Sequence, residues 1–111
     1  LELVRAGDAL SGVVSLHGGL ATDLPAAGPV KSPVLVLNGG DDTYVSVAEI
    51  TAFQDEMRKA GADWQFVSFG GAVHCFAESD AQNPPGCVYH APSARRAYRM
   101  MADFFAEVFA R

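Results

Sequence analysis

The sequence has 111 residues, of which 50% are hydrophobic and 19% are charged, and its formal net charge is −5. This length predicts a single domain, and the hydrophobic content excludes an intrinsically disordered chain. The acidic excess disfavours binding to nucleic acids and to anionic membranes, both of which attract cations. No apolar run approaches the roughly 20 residues of a transmembrane helix. We therefore expect neither a nucleic-acid partner nor a membrane partner.

The first seven residues are typical of the last turns of a helix that ends at a C′ glycine, here Gly7. They contain no hydrophobic region of a signal peptide. A chain that opens inside a helix predicts a missing preceding segment. Processing, truncation of the gene and the choice of boundaries remain open as its cause.

Three short apolar runs share one pattern. Residues 12–17, 33–38 and 64–69 are each rich in β-forming side chains, and each is followed at once by two glycines. Apolar strands of this length are typical of a parallel sheet that is covered on both faces.

Two helices are predicted around these strands. The first begins with a capping box at residues 46–49 and ends before Gly61. The second begins near Pro92, a favoured first helical residue. Residues 20–32 and 77–91 are predicted to be loops. The expected apolar stripes are Val47, Ile50, Phe53, Met57 and Ala60 in the first helix, and Ala94, Ala97, Tyr98, Met101, Phe104, Phe105 and Val108 in the second. The alternation of elements predicts an α/β fold with about three parallel strands flanked by helices.

Polar residues lie where the three predicted strands end. His17 is the last residue of the first strand, Asp41 and Asp42 follow the second, and His74 follows the third. Catalytic groups of open α/β sheets gather at these carboxyl ends. An acid followed by a histidine is the second half of the nucleophile–acid–histidine order of α/β-hydrolases. In that chemistry the histidine takes a proton from the nucleophile, while the acid orients the imidazole.

The motifs around these residues resemble the dienelactone hydrolase family. Residues 39–45 match a G-x-x-D-x-x-V acid loop, and residues 14–20, 69–76 and 102–105 resemble further segments of the family, in family order. The resemblance implies that residues 1–111 form the C-terminal half of an α/β-hydrolase domain. It places the catalytic acid at Asp42 and the catalytic histidine at His74. It gives His17 and Asp41 supporting or structural roles.

The nucleophile is missing from the pattern. No G-x-S/C-x-G elbow occurs in the sequence, and in the family this elbow opens the helix that residues 1–7 resemble. We therefore predict that the chain contains no nucleophile and does not hydrolyse esters alone. Family members that cleave dienelactone hold a substrate carboxylate with arginine, whereas Glu78 lies four residues after His74. This difference favours a small neutral ester or lactone as substrate.

The remaining candidates receive structural interpretations. Cys75 and Cys87 form neither a zinc motif nor a CxxC motif, so we predict no metal and no cofactor. The favoured reading is two free thiols in a reducing, cytoplasmic compartment, and a disulfide between them is the alternative. Cys75 is expected to be structural because an extended segment would direct it away from His74. His90 is expected at the surface.

A half-domain predicts an exposed sheet edge and hence self-association. Exposed edges and apolar patches favour a homo-oligomer or a swapped assembly. The alternative function is a non-catalytic α/β module that binds a partner or assembles. A flavodoxin or response-regulator type is less favoured, since the chain lacks the acidic residues after the first strand and the phosphate-binding turns of those folds.

Overall fold

A parallel three-stranded sheet forms the centre of the computed structural model, which describes all 111 residues. The strands are β1 (Val13–Leu16), β2 (Val34–Gly39) and β3 (Trp64–Phe69), and β2 lies between the other two. The helices are α1 (Glu2–Arg5), α2 (Val47–Lys59) and α3 (Ala91–Phe109). The predicted α/β fold, with three parallel strands flanked by helices, is confirmed.

The central strand β2 is buried along its whole length and divides the core into two clusters. Alternate side chains of a strand point to opposite faces, so its valines pack on one side and its leucines on the other. One cluster contains Val34, Val36, Phe53 and Met57, and the other contains Leu35, Leu37, Ala94 and Ala97. Helix α2 therefore covers one face of the sheet and α3 covers the other.

The boundaries of α2 follow the capping signals of the sequence. The Ser46 hydroxyl accepts a hydrogen bond of 3.1 Å from the amide of Glu49, and Gly61 after the helix has a φ of 63°. The predicted stripe is wrong at Val47, which is 80% exposed. Val47 is the first residue of α2, and periodicity alone does not show where along a helix the contact with the sheet begins.

Helix α3 also departs from its predicted stripe at one residue. Tyr98 is 46% exposed, and its hydroxyl donates a hydrogen bond of 3.1 Å to the carbonyl of Ala77. A tyrosine can cover apolar surface with its ring edge while its polar end stays accessible. Helix α3 therefore contacts the chain that follows His74 as well as the sheet.

The segment 77–91 was predicted to be a loop, but part of it has regular structure. It contains a short antiparallel pair, β4 (Gln82–Asn83) and β5 (Cys87–Val88), and α3 begins at its last residue. The strands are only two residues long, and prolines lie between them, so no alternating pattern marks them in the sequence. We call residues 82–88 the hairpin.

The two outer strands of the sheet are paired on one side only. Beside β1, a cavity of about 450 Å³ is lined by residues of the first helix and of the chain that leads into the strand, among them Leu1, Leu3, Leu10 and Val13. None of the helices combines the length and the apolar character that a membrane span requires.

Candidate active site

The acid loop begins where β2 ends and lies directly against the chain that follows β3. The amide of Asp41 donates a hydrogen bond of 2.8 Å to the carbonyl of Ala72. A Cβ atom at Gly39 would lie 2.6 Å from the carbonyl oxygen of Val73. Only glycine therefore allows the two segments to approach this closely, and Gly39 at the end of β2 serves this contact.

Both carboxylate oxygens of Asp42 have hydrogen-bond partners. Oδ1 accepts a bond of 2.7 Å from the amide of Tyr44, and Oδ2 lies 2.8 Å from Nδ1 of His74. The Asp42 side chain is fully buried, whereas 24% of the His74 side chain is exposed. The structure thus brings together the two residues that were predicted to follow the second and third strands.

The contact with Asp42 determines which ring nitrogen of His74 carries the proton. An ionised carboxylate can only accept, so Nδ1 carries the proton in the bond to Asp42. The other ring nitrogen, Nε2, then carries a lone pair and can accept a proton. The arrangement can act as a general base whose tautomer is set by a buried acid.

The chain reverses directly after His74 and is closed by a disulfide. Cys75 has a φ of 61°, and its sulfur is bonded to that of Cys87 in β5, with no free cysteine in the chain. The expectation of free thiols is therefore wrong, and so is the extended conformation assumed for Cys75. The left-handed turn at Cys75 and the hairpin bring the two Cα atoms within 5.0 Å, a distance that disulfides require.

His17 lies beside His74 without a hydrogen bond to it. The ring centroids are 5.6 Å apart in an edge-to-face arrangement, and Nε2 of His17 is 3.8 Å from Oε1 of Glu78. Burial lowers the pKa of His17, and Glu78 opposes this shift while the neighbouring His74 adds to it. The lowered pKa favours the neutral form of His17, and its ring forms one wall beside the imidazole of His74.

Asp41, the other residue expected to support the site, contributes through its backbone. Its side chain is exposed, and its amide makes the bond to Ala72 described above. No group of three or more His, Cys, Asp or Glu side chains is arranged to hold a metal ion.

Tyr44 is a site residue that the sequence analysis did not single out. Its ring centroid lies 4.9 Å from that of His74, and 55% of the residue is exposed. A Cβ at Gly86 of the hairpin would lie 2.7 Å from the Tyr44 hydroxyl. The only signal in the sequence is the position of Tyr44, two residues after Asp42 in the acid loop.

His90 was expected at the surface, but it is partly buried and has a side-chain contact. It is half-buried at the N-cap of α3, and its Nδ1 is 2.7 Å from the hydroxyl of buried Ser93. The His90 ring thus contacts a side chain of the first helical turn and does not cap a backbone amide of α3. His90 has a structural contact and no contact with His74.

Comparisons with known proteins show the family of the chain. The model of the dienelactone hydrolase family matches residues 1–109. The chain belongs to the dienelactone hydrolase family. An uncharacterized protein of Caenorhabditis elegans is 31% identical over 107 residues, which cover 93% of this chain and 68% of that protein. A Yersinia pestis protein assigned as a carboxymethylenebutenolidase is 34% identical over 68% of this chain and 27% of its own length.

A solved structure shows the same fold in a related protein. The crystal structure of a dienelactone hydrolase-like promiscuous phosphotriesterase from metagenomic libraries is 37% identical, with a TM-score of 0.89. The match covers 96% of this chain and 46% of the phosphotriesterase chain. This family member thus spans about half the length of the solved relative.

Proposed function

We propose that Asp42 and His74 provide the acid and the general base of a nucleophile–histidine–acid triad in an ester or lactone hydrolase. The observation that carries the proposal is the 2.8 Å contact between the buried Asp42 carboxylate and Nδ1 of the partly exposed His74. Membership of a hydrolase family supports it. His17 and Tyr44, beside the His74 ring, form walls of the site.

The proposed mechanism follows from the free Nε2 of His74. Nε2 takes the proton of a serine or cysteine nucleophile, whose oxygen or sulfur forms a bond to the carbonyl carbon of the substrate. The imidazolium then gives the proton to the leaving alkoxide as the carbon–oxygen bond breaks. In the second half, Nε2 takes a proton from water as the water oxygen bonds to the acyl carbon. The imidazolium then returns this proton to the serine oxygen or cysteine sulfur as the bond between the acyl carbon and the nucleophile breaks, and a carboxylic acid leaves. Asp42 stabilises the imidazolium in both halves.

We further propose that residues 1–111 act as the C-terminal part of the hydrolase domain and receive their nucleophile from outside these residues. The single side-chain hydrogen bond of His74 is the one to Asp42, and both cysteines are held in the disulfide. The 46% coverage of the solved relative agrees with a partial domain. On this proposal the chain alone does not hydrolyse esters.

The charge beside the site favours neutral substrates. The half-exposed Glu78 carboxylate lies 3.8 Å from His17, whose ring adjoins that of His74. An anionic substrate would be repelled there, whereas a neutral ester or lactone would not. A phosphotriester, the substrate class in the name of the metagenomic relative, is also uncharged at its phosphorus centre.

A chimera tests the proposed roles. Residues 1–111 replace the matching 46% of the metagenomic phosphotriesterase, which then supplies the rest of the domain. Hydrolysis of p-nitrophenyl acetate is measured for the chimera, for Asp42→Asn and for His74→Ala. We expect kcat to fall about 10⁴-fold in Asp42→Asn, as when the acid of a triad is lost. The neighbouring Asp41→Asn is the matched control and should retain activity.

Two outcomes of this test would contradict the proposal. Equal activity of Asp42→Asn and Asp41→Asn would show that Asp42 is not the catalytic acid. Hydrolysis by the 111-residue chain alone, abolished in His74→Ala, would show a nucleophile within the chain. An active chimera with an inactive isolated chain would also decide against the alternative, a purely non-catalytic binding module.

We also propose that isolated copies of the chain associate through the unpaired edge of β1. The exposed Leu3 and Leu10 line the cavity beside this edge, and an unpaired strand offers backbone groups to another chain. Sedimentation at micromolar concentration should show a dimer. A charged substitution, Leu10→Glu, should shift it to monomer, and a wild-type chain that is already monomeric would contradict the proposal.

The cytoplasmic location expected from the sequence stays a prediction. It rested on reduced cysteines, and the Cys75–Cys87 disulfide is more typical of oxidising compartments. Alkylation of free thiols during cell lysis would measure the oxidised fraction in the native compartment. A fully alkylated pair would favour the cytoplasm.

A further inference from the structure

The Cys75–Cys87 disulfide lies directly beside the residue that the proposed mechanism uses as base. Cys75 follows His74 in the chain, and its sulfur joins a cysteine 12 residues further on, in the hairpin. Cys75 is buried, whereas Cys87 is half-buried. The covalent link therefore joins the histidine loop to the hairpin at the position next to the imidazole.

Few other contacts hold the hairpin to His74. The amide of Val88 donates a hydrogen bond of 3.2 Å to the carbonyl of His74, in an isolated bridge beside Cys87. The hairpin itself has strands of two residues, and Gln82 and Asn83 are exposed on β4. Short, exposed strands contribute little stability by themselves. The disulfide is thus the strongest connection between the hairpin and the histidine loop.

The hairpin is also connected to the imidazole indirectly, through the ring of Tyr44. Gly86, the residue before Cys87, lies against the Tyr44 ring, and this ring packs against that of His74. A shift of the hairpin would therefore change both the backbone at His74 and the aromatic wall beside it.

We propose that the Cys75–Cys87 disulfide is a positioning element that holds His74 in its hydrogen bond to Asp42. The proposal rests on the function assigned to His74, but its geometry can be tested independently of catalysis. When the disulfide is opened, the histidine loop and hairpin separate, and the imidazole loses its fixed orientation. The oxidised chain is then the form in which the acid–histidine pair is oriented for use in a complete domain.

The test measures the tautomer of His74 in the 111-residue chain by ¹⁵N NMR of its imidazole. In the oxidised chain we expect one tautomer, with the proton on Nδ1, since Asp42 accepts it. A dithiol reductant then transfers two electrons and two protons to the disulfide. It yields two thiols and itself becomes a disulfide. We expect the reduced chain to shift towards the mixture of tautomers that a mobile histidine shows.

The double variant Cys75→Ala with Cys87→Ala is the matched control. It should show the reduced-type spectrum without reductant and should not respond to reductant. The indole resonance of Trp64, at the start of β3, reports whether the sheet remains folded. A changed His74 spectrum with an unchanged Trp64 resonance supports the positioning role, and reoxidation should restore the original spectrum.

Two other outcomes would overturn this proposal. An unchanged His74 tautomer after reduction would show that Asp42 alone holds the imidazole. Loss of the Trp64 resonance together with the His74 signal would show that the disulfide supports the whole fold and has no local role. Failure of the proposed function would appear separately, as an active Asp42→Asn chimera, and would leave the NMR result unaffected.

Discussion

Strands β1 and β2 run in the same direction and end at the same edge of the sheet, yet they are supported very differently. Every residue of β2 is buried between two neighbouring strands, whereas all four residues of β1 are half-buried and have a partner on one side only. The loop after β2 holds Asp42 with both carboxylate oxygens bonded. The imidazole of His17, the residue after β1, makes no hydrogen bond; it packs against the ring of His74 and lies 3.8 Å from Glu78.

This difference shows which part of the site is held in place by strands of this chain alone. Both strands that bring Asp42 and His74 together are neighbours within these 111 residues, so their loops contact each other directly. The β1 side has one neighbour, and its support comes from side chains rather than from a second strand. The acid–histidine pair should accordingly be the more rigid part of the site.

The largest effect is expected from the side-chain anchor on the β1 side. Arg5 of α1 bonds Glu56 of α2 at 3.0 Å and donates a hydrogen bond of 2.7 Å to the carbonyl of Leu20, in the loop after β1. Burial lowers the pKa of Arg5, but hydrogen bonds and charges from Glu56 and Glu2 outweigh this effect and raise it. The guanidinium therefore stays charged and joins three parts of the fold.

Arg5→Ala should lower the free energy of unfolding by about 3–5 kcal/mol, because it leaves the nearly buried Glu56 carboxylate without its partner. Urea unfolding measures the change. The control is Arg58→Ala, which removes an exposed pair with Asp55 at 2.7 Å and should cost less than about 1 kcal/mol. Similar losses in the two variants would show that Arg5 is not an anchor.

The contrast between Arg5 and the acid–histidine pair also shows what the sequence could predict. The strands, their parallel arrangement and the placement of Asp42 and His74 after them follow from apolar runs and from the residues at their ends, which are local signals. The Arg5–Glu56 pair joins residues 51 positions apart and leaves no pattern. The disulfide was only the alternative in the sequence analysis, because it depends on the left-handed backbone at Cys75, which no residue type there indicates.

A matched pair of leucines tests the comparison within the sheet. Leu16 of β1 and Leu37 of β2 are register partners, and Leu37 is fully buried whereas Leu16 is half-buried. Leu37→Ala should cost about 2–5 kcal/mol of unfolding free energy, and Leu16→Ala should cost less than about 2 kcal/mol, since less apolar surface is lost from the core.

Urea unfolding of both leucine variants measures the difference. If Leu16→Ala is as costly as Leu37→Ala, the β1 edge is covered in solution, as it would be in the proposed dimer. Repeating the measurement at lower protein concentration shows whether a second copy covers the edge. Only a contribution from the dimer to the free energy of unfolding falls on dilution.

The smallest effect concerns His17 and its dependence on pH. The pKa of His17 in the folded chain lies below its ordinary value of 6.5, chiefly because the ring is buried. The unfolded chain therefore binds this proton at a higher pH than the folded chain does. As the pH falls from above 6.5 towards the folded pKa, the free energy of unfolding should decrease.

Replacing His17 by Asn should remove this contribution, so the stability difference between wild type and variant should change across that pH range. Glu78→Gln removes the charge that opposes the shift, so it should lower the pKa of His17 further and strengthen the acid sensitivity. NMR titration of the His17 Hε1 proton measures the pKa in each protein. A pKa of His17 that does not fall in Glu78→Gln would mean that the carboxylate does not act on the imidazole. The loop after β1 would then be too mobile to keep His17 beside Glu78, which would make the difference between the two strands larger than the distances suggest.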